Sequence, residues 1–146
     1  MTAEEITAFL DREFPQIHQN GTVFAVEAAG GGSARLRMAY HERLLRPGGT
    51  ISGPSMFALA DVAMYAAVLS AIGPRALAVT TNLNINFLRR PEPRDMIAEA
   101  RVLKLGKRLA VGEIALHSDG QTDLAAHATA TYSIPPEDEG KIIPHL

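Results

Sequence analysis

The chain has no cysteine among its 146 residues. That absence excludes disulfide staples, a thiolate nucleophile and cysteine-ligated zinc together. A strong charge of either sign is missing too. The formal net charge is −2 and the isoelectric point about 6.2, whereas a general nucleic-acid binder carries a marked basic excess. The five histidines, at positions 18, 41, 117, 127 and 145, lack the paired helical spacing of a metal site, so no bound metal is expected. No Gly-x-Ser-x-Gly elbow or phosphate-loop pattern occurs. Gly30-Gly31-Gly32 precedes a strand pattern rather than a helix, which makes it a turn and not a dinucleotide-binding fingerprint. The opening Met1-Thr2-Ala3-Glu4-Glu5 lacks the basic-then-apolar order of a secretory leader, and a cytoplasmic protein is expected.

What is present is one domain's worth of chain, with no repeat or low-complexity segment. Thr2 and Glu5 read as a capping box, and Ile6, Phe9, Leu10 and Phe14 give helical spacing up to Pro15, so the first 19 residues are expected to hold a peripheral helix. Residues 22–29 and 33–40 read as two strands. A connection rich in Arg, Pro and Gly leads to a long apolar run, 54–72, bracketed by Gly53-Pro54 and Gly73-Pro74, with Pro54 expected at the first helical position. The run approaches bilayer-spanning length, but its aspartate and flanks suit a buried core helix better. Four further strands are expected at 76–89, 95–105, 108–118 and 122–134, with Leu124, Ala126, Ala128, Ala130 and Tyr132 on one face of the last. The order implies an α+β fold in which a curved antiparallel sheet wraps one helix that is buried nearly all round. Alanines on both surfaces would allow a close approach. The tail 135–146 is expected to be loosely held.

Only Asp61 carries a formal charge in the apolar run. Desolvating a carboxylate without compensation costs several kcal/mol, so it must be hydrogen-bonded, paired, protonated or used in chemistry. At the start of the same helix the Gly53 N–H has no intrahelical partner and lies in the positive end of the helix dipole. It can polarise a carbonyl oxygen, as acyl transfer needs, or it is an ordinary helix entry. Eight residues separate Gly53 from Asp61, about 12 Å along the axis. A carboxylate attacking a carbonyl carbon, or activating its water, must lie within about 5 Å of the donor holding that carbonyl. Acting together, the two residues must therefore come from two chains whose helices run antiparallel across a two-fold axis. Arg89, Arg90, Arg94, Lys104, Lys107 and Arg108 gather around two strand ends, as solvated ends or as a phosphate-binding rim.

The run Arg46-Pro47-Gly48-Gly49-Thr50-Ile51-Ser52-Gly53-Pro54, followed by Leu59-Ala60-Asp61, resembles the hot-dog fold acyl-CoA thioesterases of the phenylacetate-pathway (PaaI-like) type. Their motif reads Asn-Pro-x-Gly-x-x-His-Gly-Gly ahead of a helix bearing Leu-Ala-Asp. Asn84 to Pro91 is similar to the family's strand ending in Phe-Leu-Arg-Pro, and Leu105-Gly106-Lys107-Arg108 to its Gly-Lys/Arg hairpin. The resemblance spans residues 20–134. It implies that Asp61 is nucleophile or general base and that the Gly53 amide, from the partner subunit, holds the thioester carbonyl. It also implies coenzyme A as part of the substrate, with its phosphates near Arg90, Lys107 and Arg108, a water-positioning hydroxyl at Thr80 or Thr81, and a homodimer or homotetramer. Arg46 and Ser52 replace the family's Asn and His beside the substrate. Arg46 could bind a substrate carboxylate or pair with Asp61. The alternatives are a non-catalytic acyl-CoA binding protein and, lower in rank because no His accompanies Asp61, a hydratase or dehydratase.

Overall fold

Alanine sets how closely the central helix and the sheet approach each other. The computed structural model describes residues 1–136, so most of the expected tail lies outside the described residues. Helix α2 (Gly53–Ile72) buries Ala60, Ala63, Ala66 and Ala67 against a sheet floor that includes Ala98, Ala100, Ala110, Ala126, Ala128 and Ala130. The contact is closest at Gly112, where an added Cβ would lie 2.5 Å from both the Met64 Cε and the Arg101 carbonyl oxygen.

The sheet is wholly antiparallel and has six strands: β1 (Phe24–Gly30), β2 (Ser33–Met38), β5 (Val79–Phe87), β6 (Met96–Leu105), β7 (Leu109–Ser118) and β8 (Ala126–Ser133), in the order β1-β2-β6-β7-β8-β5. Its two edges are β1 and β5. A two-residue ladder of β3 (Leu45–Arg46) and β4 (Thr50–Ile51) interrupts the expected plain connection. On β8 the alternation runs as expected from Ala126, with Ala126, Ala128, Ala130 and Tyr132 inward; the strand expected from residue 122 starts only there, and Leu124, expected on the same face, precedes it. Helix α1 (Ala3–Glu13) has the Thr2–Glu5 capping box and adds Ile6, Phe9 and Leu10 to the core. On the outer face of the sheet Arg37 bonds Glu27 on β1 at 2.7 Å, Asp95 at 3.1 Å and Asp119 at 2.8 Å.

Three expectations are corrected. Helix α2 begins one residue early, with Ser52 as N-cap and Gly53 before Pro54; proline suits the second position too, because that N–H also lacks an intrahelical acceptor. The strand expected from residue 76 begins at Val79, because Ala78 N–H closes a turn onto the Arg75 carbonyl. The helix is not buried all round. Its N-terminal half leaves Pro54, Phe57 and Ala58 exposed, with Phe57 at 42%, and Asp61 half-buried on the same stripe. Further along, Val62 to Ser70 are buried in the core.

Candidate active site

Asp61 sits where α2 crosses the start of β5 and the end of β8. Thr80 and Tyr132 are cross-strand neighbours there, and both point their hydroxyls at the carboxylate. Thr80 Oγ1 donates to Asp61 Oδ1 at 2.6 Å, and the Tyr132 hydroxyl donates to the same oxygen at 2.9 Å. The phenol also lies 3.1 Å from the Asp61 carbonyl oxygen. Among the described residues no donor reaches Oδ2. A β-bulge at Thr81 decides between the two threonines: Thr80 is in register with Tyr132, and Thr81 turns its hydroxyl to the Thr131 carbonyl at 3.2 Å.

Tyr132 is 3% exposed and stacks on Tyr65, ring centroids 6.1 Å apart. Tyr65 donates to the Ala76 carbonyl at 3.0 Å and takes the edge of Phe14. Burial, and next the Asp61 charge, raises the Tyr132 phenol well above the usual tyrosine range. Burial, with a smaller push from Glu13, raises Tyr65 to about 12. Both phenols stay protonated donors near neutral pH.

Gly53 lies at the other end of the exposed stripe. Ser52 is committed to the cap: its Oγ accepts from Ser55 N–H at 3.3 Å and lies 2.8 Å from the Ser55 hydroxyl. The Gly53 N–H, first in the helix, has no acceptor among the described residues. Gly53 faces the Phe87 ring so closely that a Cβ would come 3.2 Å from Cζ. It opens onto a groove of about 560 Å³ lined by Arg46, Ser52, Met56, Phe87 and Arg90 among others.

The residues singled out from the sequence thus fall into three groups. Arg46, Ser52, Gly53 and Arg90 share one groove. Asp61 and Thr80 are bonded, and Arg46 is not a partner of that carboxylate in this chain. Lys107 and Arg108 form the β6–β7 hairpin, where Arg108 lines a separate cleft with Leu77, Val79 and Ser133. That hairpin is at the far end of the sheet from Arg90. Leu109 is opposite Ser133, and Leu116 is opposite Ala126, which pairs with Phe87; from 109 to 116 a strand spans about 23 Å. Tyr132 is the site residue that sequence reasoning missed. Its signal was a polar tip on an otherwise apolar inward row, where a buried tyrosine hydroxyl needs an acceptor.

The thioesterase superfamily matches residues 48–125, more than half of the chain. A candidate esterase of Saccharolobus solfataricus is 32% identical over 131 residues, covering 90% of this chain and 78% of the relative. The crystal structure of a candidate thioesterase from Silicibacter sp. superposes with a TM-score of 0.82 at 51% identity, covering 92% of each chain. The PaaI protein of the Escherichia coli phenylacetic acid degradation operon, 22% identical, shares the fold with a TM-score of 0.76 over 91% of this chain and 92% of its own. A match across the helix and strands that carry Gly53, Asp61 and Thr80, with relatives at 32% and 51% identity, leaves one assignment: the chain belongs to the thioesterase superfamily, as a thioester hydrolase of the hot-dog fold.

Proposed function

We propose that the protein is a cytoplasmic acyl-CoA thioesterase that works as a homo-oligomer, with each site shared by two chains. The observation that carries this reading is how Gly53 and Asp61 bracket β5, an edge strand of the sheet among the described residues. Gly53 packs on Phe87 at one end of β5, and Asp61 is bonded to Thr80 at the other. A second copy pairing antiparallel along β5 brings the Phe87 end of one strand beside the Thr80 end of the other. The partner subunit's Gly53 then approaches Asp61, which eight residues of a single helix prevent within one chain. The exposed stripe Pro54, Phe57, Ala58 gives such a copy an apolar face to cover.

In this arrangement the partner subunit's Gly53 N–H donates a hydrogen bond to the thioester oxygen as that oxygen gains negative charge. Asp61, through Oδ2, either attacks the carbonyl carbon, expelling the thiolate and leaving an acyl anhydride that water then cleaves to free the carboxylate, or takes a proton from the attacking water and passes it to the leaving thiolate. Water adds its oxygen to the acyl group, the C–S bond breaks, and the products are the carboxylate and the coenzyme A thiol. Arg46, unpaired with Asp61 and facing the groove at Gly53, is placed for an anionic part of the ester, and Ser52 contributes through the cap. The same pairing carries the partner's Lys107 and Arg108 to the end of the sheet that holds Arg90, about 14 Å away across three strand spacings. That suits a ligand with well-separated phosphates, as coenzyme A has.

A thiol-trapping assay over aliphatic and aromatic acyl-CoA esters tests the reading. The wild type releases thiol from at least one, and Asp61→Asn loses that turnover by orders of magnitude with the fold intact. Near-normal hydrolysis by Asp61→Asn refutes the assigned role. Saturable binding of the ester with no thiol release points instead to a binding protein.

A further inference from the structure

Phenylalanine could fill almost every role that Tyr132 has in the fold. The ring belongs to the inward row of β8 with Ala126, Ala128 and Ala130, and it packs against Tyr65. Only the hydroxyl is special, and its position is over-determined. It touches both the Asp61 side chain, at 2.9 Å, and the Asp61 carbonyl oxygen, at 3.1 Å. The carbonyl alone would satisfy one buried phenol. The ring cannot drift, because the Tyr65 plane lies within 19° of its own and Tyr65 is itself pinned by the Ala76 carbonyl and the Phe14 edge.

The consequence falls on the carboxylate. Rotation about the terminal bond of an aspartate is broad and nearly two-fold, so its two oxygens ordinarily exchange roles. Here two hydroxyls converge on Oδ1, at 2.6 and 2.9 Å. The oxygens are no longer equivalent. We propose that Tyr132 is a positioning residue which, with Thr80, immobilises Oδ1 and so presents the bare Oδ2 as the reacting oxygen. The inference rests on the reading of Asp61 as the carboxylate of the reaction. A reacting atom held in one orientation contributes through geometry, and displacements of about 1 Å can cost a hundredfold in rate. Because the phenol stays protonated through the neutral range, the clamp persists wherever the enzyme works.

Tyr132→Phe keeps the ring, the stack and the packed volume and deletes only the donor. Its kcat falls roughly 10- to 100-fold, the range expected for one hydrogen bond to a charged group, while KM stays within about twofold. Thr80→Val behaves alike, and Thr80→Ser, which restores a hydroxyl, recovers most of the rate. A merely structural hydroxyl would lower the melting temperature and leave kcat unmoved, and that result overturns the proposal. If Tyr132→Phe does not fold, the Thr80→Val and Thr80→Ser pair decides: equal kcat in both removes the clamp. Asp61→Asn separates the two failures. Its inactivity beside a fully active Tyr132→Phe sinks the clamp alone, whereas an active Asp61→Asn sinks the reading beneath it.

Discussion

Two inactive variants of this protein should restore each other. The first is Gly53→Pro. Gly53 is the first residue of α2, and Ser52 before it is extended, with ψ 152°, the conformation a residue preceding proline prefers. Proline is also favoured at a helix start, so the substitution removes the N–H at little cost to the helix. The new Cβ comes 3.2 Å from Phe87 Cζ, and the ring edge must yield by a few tenths of an ångström; Gly53→Ala adds the same Cβ, keeps the amide, and serves as the control. Loss of one oxyanion donor costs about 10²- to 10³-fold in kcat. The second variant is Asp61→Asn. Co-expressed with separate tags and mixed at random, about half the dimers are heterodimers, each with one intact pair: Asp61 from the Gly53→Pro chain facing Gly53 from the Asp61→Asn chain. Thiol release per chain should return to about a quarter of the wild-type value. If both groups act within one chain, the mixture gives only the mean of two inactive proteins, about 1% or less. That outcome refutes the shared site.

The same axis places another residue. In the proposed dimer positions 53 and 61 exchange about position 57, so Phe57 should meet the partner's Phe57; packed helices lie about 8–10 Å apart, beyond the roughly 7 Å limit for a disulfide. In this cysteine-free chain Phe57→Cys should therefore cross-link to itself with a short bis-maleimide, and Val111→Cys, exposed on the outer face of β7, should not; a gel showing the reverse moves the axis. Gly112→Ala forces a methyl group against a backbone carbonyl oxygen that cannot withdraw and should destabilise the fold by about 1–3 kcal/mol, read from urea midpoints, with an unchanged midpoint as the contrary result. Hydrogen bonds from Arg37 hold Glu27 below its ordinary 4.5 and Asp119 below its ordinary 3.8. A depressed folded value means that their stabilisation is complete above the unfolded value and is lost as pH falls through the folded one. Arg37→Met should thus be less stable than the wild type at neutral pH, with the gap in melting temperature closing in acid; a gap constant with pH contradicts this.

The long elements were legible because their signals are local. Gly53-Pro54 and Gly73-Pro74 bracket the helix, and alternation along β8 marks its buried face. Asp61 announced itself as the one charge in an apolar run. Other features depend on relations that spacing along the chain does not carry. One bulge residue at Thr81 shifts the parity of β5 and makes Thr80 the partner of Asp61. Tyr132 was read as apolar, since an alternation pattern records the ring and not its hydroxyl. The exposed Phe57 looked like core because a hydrophobic pattern does not say which apolar residues the chain's own sheet covers. Arg90 and the Lys107-Arg108 hairpin looked like neighbours because both follow strand ends, but antiparallel order puts those ends on opposite sides of the sheet.

Strand β5 presents nine residues at an edge of the sheet, with Asn82, Asn84 and Asn86 turned away from the core and Val79 and Phe87 more than half exposed, at 55% and 52%. A long, unpaired, partly apolar edge is a template for indiscriminate strand addition. In the proposed dimer, pairing with its own copy closes that edge and builds the site in one step, so solubility and turnover would share a single equilibrium. Dilution should remove both together, and a substitution that weakens the pairing should produce an aggregating chain before it produces a merely slow one.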